Sequence, residues 1–116
     1  MTNNLLDRTL DFATEVVKFT ETVNRHYSLV NQLERSATGI GANVREANYA
    51  QSRADFISKM QIALKECYET EYWLELFARI ELIDSSTYMY FMDVCRRIRR
   101  TLIASICTAK KNGEAR

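Results

Sequence analysis

The sequence predicts an all-α protein that folds as an antiparallel four-helix bundle with up-down-up-down topology. It contains no proline and three glycines in 116 residues, and apolar residues recur at helical spacing in four successive segments. Average composition would supply about six prolines. A chain of this length can bury a real core. We therefore expect one domain over residues 1–116, with helices at about residues 4–23, 28–48, 53–83 and 87–109.

The first predicted helix has apolar residues on two sides. One stripe contains Leu6, Leu10, Ala13 and Val17, and the other contains Leu5, Phe12, Val16, Phe19 and Val23. Asn3 or Asn4 is placed to cap this helix, and the polar stretch 24–27 is expected to end it. The short loop makes the first two helices antiparallel neighbours.

The second predicted helix contains a run of small side chains at residues 36–43. Gly39 and Gly41 lie in this run, and each glycine costs about 1 kcal/mol relative to alanine inside a helix. That cost favours a close helix crossing, where the backbones must approach each other. Because no strand precedes the run and no third glycine lies in it, a dinucleotide-binding loop is not indicated.

The third predicted helix has two apolar stripes. Ser52 followed by Asp55 is a shortened capping box that opens the helix. The first stripe is expected to face the bundle core and contains Phe56, Met60, Ala63, Cys67, Leu74 and Phe77 or Ala78. The second contains Ile62, Trp73, Leu76, Ile80 and Ile83. A second stripe predicts a second packing surface, most simply against another copy of the chain. The expected interface residues are Tyr72, Trp73, Leu76 and Ile80.

Basic charge collects on the fourth predicted helix, after a turn at residues 84–86. The net charge of the chain is +1, but residues 84–116 carry seven basic and three acidic side chains. The candidate phosphate-binding residues are Arg96, Arg97, Arg99, Arg100, Lys110 and Lys111, with Arg116 extending the set. Guanidinium groups can contact phosphates without reading bases. The alternative is a solvated helix face whose arginines pair with acids of the third helix.

The sequence favours neither a metal site nor an enzyme. Glu66, Glu69, Glu71 and Glu75 crowd one stretch, but the paired ExxH motifs of di-iron bundles are absent and His26 is the one histidine. Glu69 is expected in a partly apolar setting. No activated nucleophile is indicated, so we expect no cofactor, no metal and no catalytic residue. Cys67, Cys95 and Cys107 are expected to be buried thiols.

The compartment is predicted from what the sequence lacks. The first twelve residues have no basic segment and carry two aspartates, which argues against a signal peptide. No apolar run approaches the ~18 residues that a membrane span needs. We therefore expect a cytoplasmic protein with no membrane partner.

The most specific motif lies between residues 32 and 76. It consists of Ser36 and Ala37, the run Ile40-Gly41-Ala42-Asn43-Val44-Arg45-Glu46, then Ser52, Asp55-Phe56, Ile62-Ala63, and Glu69-Thr70-Glu71 before Leu74. With these residues the chain resembles, over residues 6–108, the bacterial four-helix bundle family that includes proteins encoded by intervening sequences of large-subunit ribosomal RNA genes. Accessory proteins of diversity-generating retroelements are similar. Gly41 stands where the family usually has proline, and Ala47 stands where it has glycine.

The resemblance implies a cyclic homopentamer of antiparallel four-helix bundles. It also implies a link to nucleic acid, because the retroelement members bind nucleic acid and a reverse transcriptase through basic surfaces. We therefore predict a non-enzymatic, homo-oligomeric scaffold or adaptor that binds RNA, DNA or a nucleoprotein through helix 4. The alternative is a protein-protein docking module, for example for a reverse transcriptase, without nucleic acid contact. Structural roles are expected for Gly39, Gly41, Asn43, Glu46, Ser52, Phe56, Glu69 and Glu71.

Overall fold

The structure, a computed structural model, describes residues 4–114. Its four helices are α1 (Leu5–Thr20), α2 (Tyr27–Asn48), α3 (Arg53–Arg79) and α4 (Ser85–Glu114), and the described residues form no strand. Each helix packs on the next, and α1 packs on α4, whereas in this range the backbones of α1 and α3, and those of α2 and α4, do not approach each other closely. The all-α prediction is confirmed, and this packing is that of a four-helix bundle. Within residues 4–114, no helix is both long enough and apolar enough to cross a membrane.

The helix α1 begins at a side-chain cap. Asn4 Oδ1 accepts a hydrogen bond from the backbone N–H of Asp7 at 2.9 Å, which satisfies a free donor of the first turn. The predicted end at residue 23 was wrong, since the helix stops at Thr20. The backbone N–H groups of Thr22 and Val23 bond three residues back and tighten the chain into a turn. Asn3 and Arg116 lie outside the described residues.

The helix α2 begins after a residue with left-handed backbone geometry. His26 has φ 56° and ψ 49° and makes no side-chain cap bond. Its carbonyl oxygen accepts from the N–H groups of Leu29 and Val30, each at 3.0 Å. The helix therefore starts at Tyr27, one residue before the predicted start. The left-handed backbone of His26, and not a side-chain cap, precedes its first turn.

The helix α3 opens on the predicted cap. The N–H of Asp55 donates to Ser52 Oγ at 3.0 Å, and the N–H of Gln51 donates back to the Asp55 carboxylate at 3.4 Å. The first bond is the N-cap that the sequence indicated, while the second reaches the residue before the cap and not the N–H of Ser52, so the reciprocal bond of a capping box is not formed.

The end of α3 at Arg79 corrects the predicted end at residue 83. The N–H of Leu82 donates to Phe77 O at 2.8 Å, and Glu81 lies in the left-handed region with φ 61°. This is the Schellman arrangement that terminates helices. Because the chain turns here, Ile83 enters the core, 7% exposed, and is not part of the outer stripe.

The helix α4 is longer than predicted at both ends. Asp84 caps it by accepting from the N–H of Thr87 at 2.7 Å, and this bond lowers the pKa of Asp84. The helix continues past the predicted end at residue 109 to Glu114. Its last turns pack beside the start of α3, since a β-carbon built at Gly113 would lie 3.2 Å from Arg53 Cδ.

The bundle core runs through all four helices and contains one buried polar link. The largest fully buried side chains include Phe12, Leu33, Ile40, Leu74, Phe77, Ile98 and Leu102. The Thr70 hydroxyl of α3 donates to Ser36 Oγ of α2 at 2.9 Å, and Ser36 donates to the Leu33 carbonyl at 3.2 Å. Since both hydroxyls have partners, the link is satisfied and fixes the register of α2 against α3.

The helices α1 and α2 cross closely at the predicted small-residue run. A β-carbon built at Gly41 would lie 3.2 Å from Thr9 Oγ1 and 3.5 Å from the Thr9 backbone carbon. The expectation that a glycine in this run allows two backbones to approach is confirmed.

Candidate nucleic-acid interface

The outward side of α4 carries exposed basic side chains. Arg96, Arg100, Lys110 and Lys111 are all exposed. The first two and Lys111 lie on the side of the helix opposite the buried Ile98 and Leu102, and Lys110 lies one turn after the buried Ile106. From Arg96 to Lys111 the helix rises about 22 Å. None of these four forms an ion pair with another side chain of residues 4–113. They form what we call the α4 basic face, which is accessible to an anionic partner.

Arg99 is turned toward α3 instead. Its Nε donates to Glu71 Oε2 at 2.7 Å, and the two side chains are 24% and 12% exposed. This hydrogen bond raises the pKa of Arg99. The Arg99 guanidinium carbon also lies 5.2 Å from the centre of the Tyr68 ring, within the range of a cation–π contact. Arg99 and Glu71 therefore link α3 to α4, as the pairing alternative expected.

Arg97 lies toward α1 in acidic surroundings. Its Nε donates to Asp93 Oδ2, one helical turn earlier, at 2.9 Å, and both side chains are more than half exposed. Together with Asp11 and Glu15 it lines a cavity of about 260 Å³ between α1 and α4. Its charge is thus largely balanced by neighbouring carboxylates, so the α4 basic face is defined without it.

Tyr68 belongs to the same region, although sequence reasoning did not place it there. The residue is half exposed, and its ring lies under the Arg99 guanidinium group. The only sequence signal is its position three residues before Glu71, which puts both on one side of α3. This spacing indicates a contact with Arg99 only when the register of α3 against α4 is known.

The motif residues of α2 do not form a network with each other. The Asn43 amide donates to the Gly39 carbonyl at 2.8 Å, within α2. Glu46 instead approaches Lys59 of α3 at 3.8 Å. Each side chain therefore has its own partner. Phe56 packs half-buried against the core near the start of α3.

Two carboxylates of α3 lie where α3 packs against α2. Arg35 contacts Glu69 at 2.9 Å and Glu66 at 3.8 Å. The Glu66 side chain is 17% exposed against 37% for Glu69, so Glu66, and not the predicted Glu69, has the more apolar setting. Glu66 Oε1 is buried without a hydrogen-bond partner. Burial, reinforced by the charge of Glu69, raises the pKa of Glu66.

The predicted interface residues lie on the outer side of α3. Tyr72 is 61% exposed and Ile80 is 37% exposed, while Trp73 and Leu76 are half-buried. The Tyr72 ring meets Trp73 edge-on with centroids 4.9 Å apart. The structure thus brings these four residues together as one apolar strip on the surface of the chain.

The three cysteines differ in their surroundings. Cys67 and Cys95 are buried, but Cys107 is exposed, which corrects the expectation that all three are core residues. Cys107 directly follows the buried Ile106 on α4 but lies on the solvent-exposed side of the helix. The Cys95 Sγ lies 3.6 Å from the Cys67 carbonyl, and hydrogen bonding with Cys67 and burial raise the pKa of Cys95. Residues 4–113 present no group of three or more potential metal ligands.

The fold and surface define a small four-helix bundle with one basic helix face and an apolar outer strip. The model of the 23S rRNA-intervening sequence protein family matches residues 2–104. The chain belongs to this family, as its motif predicted. It is also similar to a crystal structure of a protein of unknown function from the S23 ribosomal protein family of Bacteroides thetaiotaomicron. The two are 43% identical, with a TM-score of 0.84, over 89% of this chain and 98% of the other. No curated protein matches the chain.

Proposed function

We propose that the protein is a non-enzymatic, cytoplasmic, homo-oligomeric scaffold that binds nucleic acid, alone or in a nucleoprotein, through the α4 basic face. One observation supports this most. Arg96 and Arg100 are exposed without a carboxylate partner among the described residues, whereas their neighbours Arg97 and Arg99 each have one. Unpaired guanidinium groups suit phosphate, which they can bind with two parallel hydrogen bonds.

Phosphate binding of this kind does not depend on base sequence. Four side chains of one chain provide only a few contacts, and each is weakened by salt. A homo-oligomer repeats the face in every subunit, so that binding at one subunit raises the effective concentration at the next. Assembly is therefore part of the proposed mechanism.

Two separate apolar surfaces support assembly into a ring. The first is the strip on α3, with Leu76 half-buried and Ile80 exposed. The second is a groove of about 380 Å³ between α1 and α2, lined by Leu6, Leu10, Ala13, Gly41 and Ala42 among others. Leu10 in this groove is 53% exposed. Because the surfaces share no residue, contact between them is head-to-tail, and head-to-tail contacts generate rings when the rotation closes. The family resemblance supports five subunits.

Negative charges introduced into the apolar strip of α3 test whether it forms the subunit contact. Leu76→Glu combined with Ile80→Glu should lower the solution mass from that of five chains to that of one, with helicity retained. Met89→Glu, at an exposed apolar residue of α4, is the matched control and should leave the mass unchanged. A double variant that remains pentameric would exclude the strip from the subunit contact.

The basic face is tested by the salt dependence of binding. Arg96→Gln with Arg100→Gln should leave the oligomer intact and flatten the slope of log K against log salt, by about 1 for each phosphate that the variant no longer binds. Arg25→Gln with Arg79→Gln removes the same charge from other exposed positions and should retain the slope. An unchanged slope in the α4 variant would contradict the proposed site.

The second candidate is a docking module for another protein, such as a reverse transcriptase. The pairs Arg97–Asp93 and Arg99–Glu71 favour it, since they leave fewer cations for phosphate. In this case nucleic acid would not bind even at low salt, although the oligomer would form.

A further inference from the structure

Tyr68 is an aromatic side chain that the structure leaves half exposed on α3. One contact fixes its position: the Arg99 guanidinium carbon lies 5.2 Å from the ring centre. Arg99 is itself held, because its Nε donates to Glu71 at 2.7 Å and its side chain is 24% exposed. The ring is therefore supported by a charged group that is already oriented, while half of the residue surface remains accessible.

The charges around this ring favour an anionic ligand. Glu71 balances Arg99, but Arg96 and Arg100, which precede and follow Arg99 on α4, are exposed and have no ion-pair partner among residues 4–113. The contact between α3 and α4 thus presents an accessible aromatic ring, and the outward side of α4 carries the unpaired Arg96, one helical turn before Arg99, and Arg100, directly after it. An aromatic platform next to a cationic track is the arrangement by which proteins bind unpaired nucleotides.

We propose that Tyr68 stacks against an unpaired base while Arg96 and Arg100 contact the adjacent phosphates, so that the preferred ligand is a single-stranded nucleic acid. This inference rests on the proposed function and specifies its ligand. Bases in a duplex are stacked on each other and paired, so their faces cannot reach a ring on a helix surface. A single strand can turn a base outward and place it on the tyrosine. Tyr72, the next exposed tyrosine of α3, is assigned to the subunit contact and is not part of this site.

The chemistry predicts which variants distinguish stacking from a structural role. Tyr68→Phe keeps the ring and its contact with Arg99, whereas Tyr68→Ala removes both. Glu71 still holds Arg99 in the alanine variant, so the cations stay in place. A loss of stacking should therefore affect single strands alone, while a loss of stability would affect every ligand.

The experiment is a titration of the full chain against four labelled oligonucleotides of one sequence: single-stranded RNA, single-stranded DNA, an RNA carrying abasic positions, and the RNA duplex. We expect the single strands to bind more tightly than the duplex and the abasic RNA. Tyr68→Ala should weaken single-strand binding by about 5- to 150-fold. Tyr68→Phe should stay within about twofold of the wild type, since its ring still stacks. A 4-thiouridine RNA should crosslink to the peptide that contains Tyr68.

The outcomes separate this inference from the proposed function. Equal binding of single strand and duplex, with no effect of Tyr68→Ala but a salt slope that Arg96 and Arg100 control, would overturn the stacking site and leave the basic face standing. Absence of binding to all four oligonucleotides at low salt would overturn both. A difference between the RNA and DNA strands would assign the 2′-hydroxyl a part in recognition.

Discussion

The carboxylate of Glu66 on α3 fills the space beside Gly39 on α2. A β-carbon built at Gly39 would lie 3.1 Å from both Cδ and Oε2 of Glu66. The absent side chain thus lets an acidic group enter the seam, where Oε1 is buried without a hydrogen-bond partner. The second glycine of the run, Gly41, meets the backbone and side chain of Thr9 on α1. The two glycines serve different helix contacts.

Alanine substitutions should separate these two contacts. Gly39→Ala should be neutral or stabilise the protein by up to about 1 kcal/mol, because the helix gains propensity and the flexible end of Glu66 can move. Gly41→Ala should destabilise by about 1 kcal/mol, because the strain of crowding a rigid helix exceeds the same gain. Urea unfolding of both variants at one protein concentration measures the difference. Equal effects would contradict the distinction.

Because the Glu66 carboxylate is buried, the effect of replacing it on the stability of the protein should depend on pH. The pKa of Glu66 is raised above its ordinary value of 4.5 by burial and by Glu69. A raised pKa means that the folded state favours the protonated form, so stability falls as pH rises through 4.5 and the folded pKa. Glu66→Gln should therefore change little well below 4.5 and stabilise the protein near neutral pH. Unfolding at both pH values measures this, with Glu75→Gln on the same helix as control. A larger gain at low pH would be the opposite of the expected sign.

The two paired arginines of α4 should differ in their contribution to stability. Glu71→Gln breaks a pair that is mostly shielded from solvent and should cost about 2 kcal/mol. Asp93→Asn breaks an exposed pair within one helix and should cost less than about 0.5 kcal/mol. Thermal or urea unfolding compares them directly. If the two costs were the same, Arg99 would not be the link between α3 and α4 that its geometry indicates.

Glycine should be favoured at position 81, in the turn that follows α3. Glu81 has φ 61°, in the left-handed region where a β-carbon is strained. Glu81→Gly should therefore stabilise the protein by about 0.5–1 kcal/mol. Glu75→Gly, at an exposed position inside the helix, should destabilise it by about 1 kcal/mol. A lower unfolding midpoint for Glu81→Gly would contradict the assigned turn.

Local signals made most of the fold predictable. Ser52 with Asp55 marked the start of α3, and apolar periodicity located four helices, because caps and helical spacing depend on neighbouring residues. The end of α3 could not be predicted in the same way. Its Schellman turn uses Glu81 where a glycine would usually mark the position.

The candidate site was less predictable because it depends on the register of two helices. The sequence identified the arginines of α4 but could not tell which of them pair. Only packing brings Arg99 beside Glu71 and Tyr68, and packing leaves Arg96 and Arg100 outward. The same limit applies to Glu66, whose setting depends on the glycine opposite it.

The central claim is that an oligomer binds nucleic acid through the α4 basic face. The most direct measurement titrates the purified wild-type protein with labelled single- and double-stranded RNA and DNA at two salt concentrations, with the mass of the oligomer followed in the same samples. We expect binding at low salt that weakens more than about tenfold at the higher salt while the mass stays constant. No binding at low salt with the oligomer intact would contradict the claim and favour the protein-docking module.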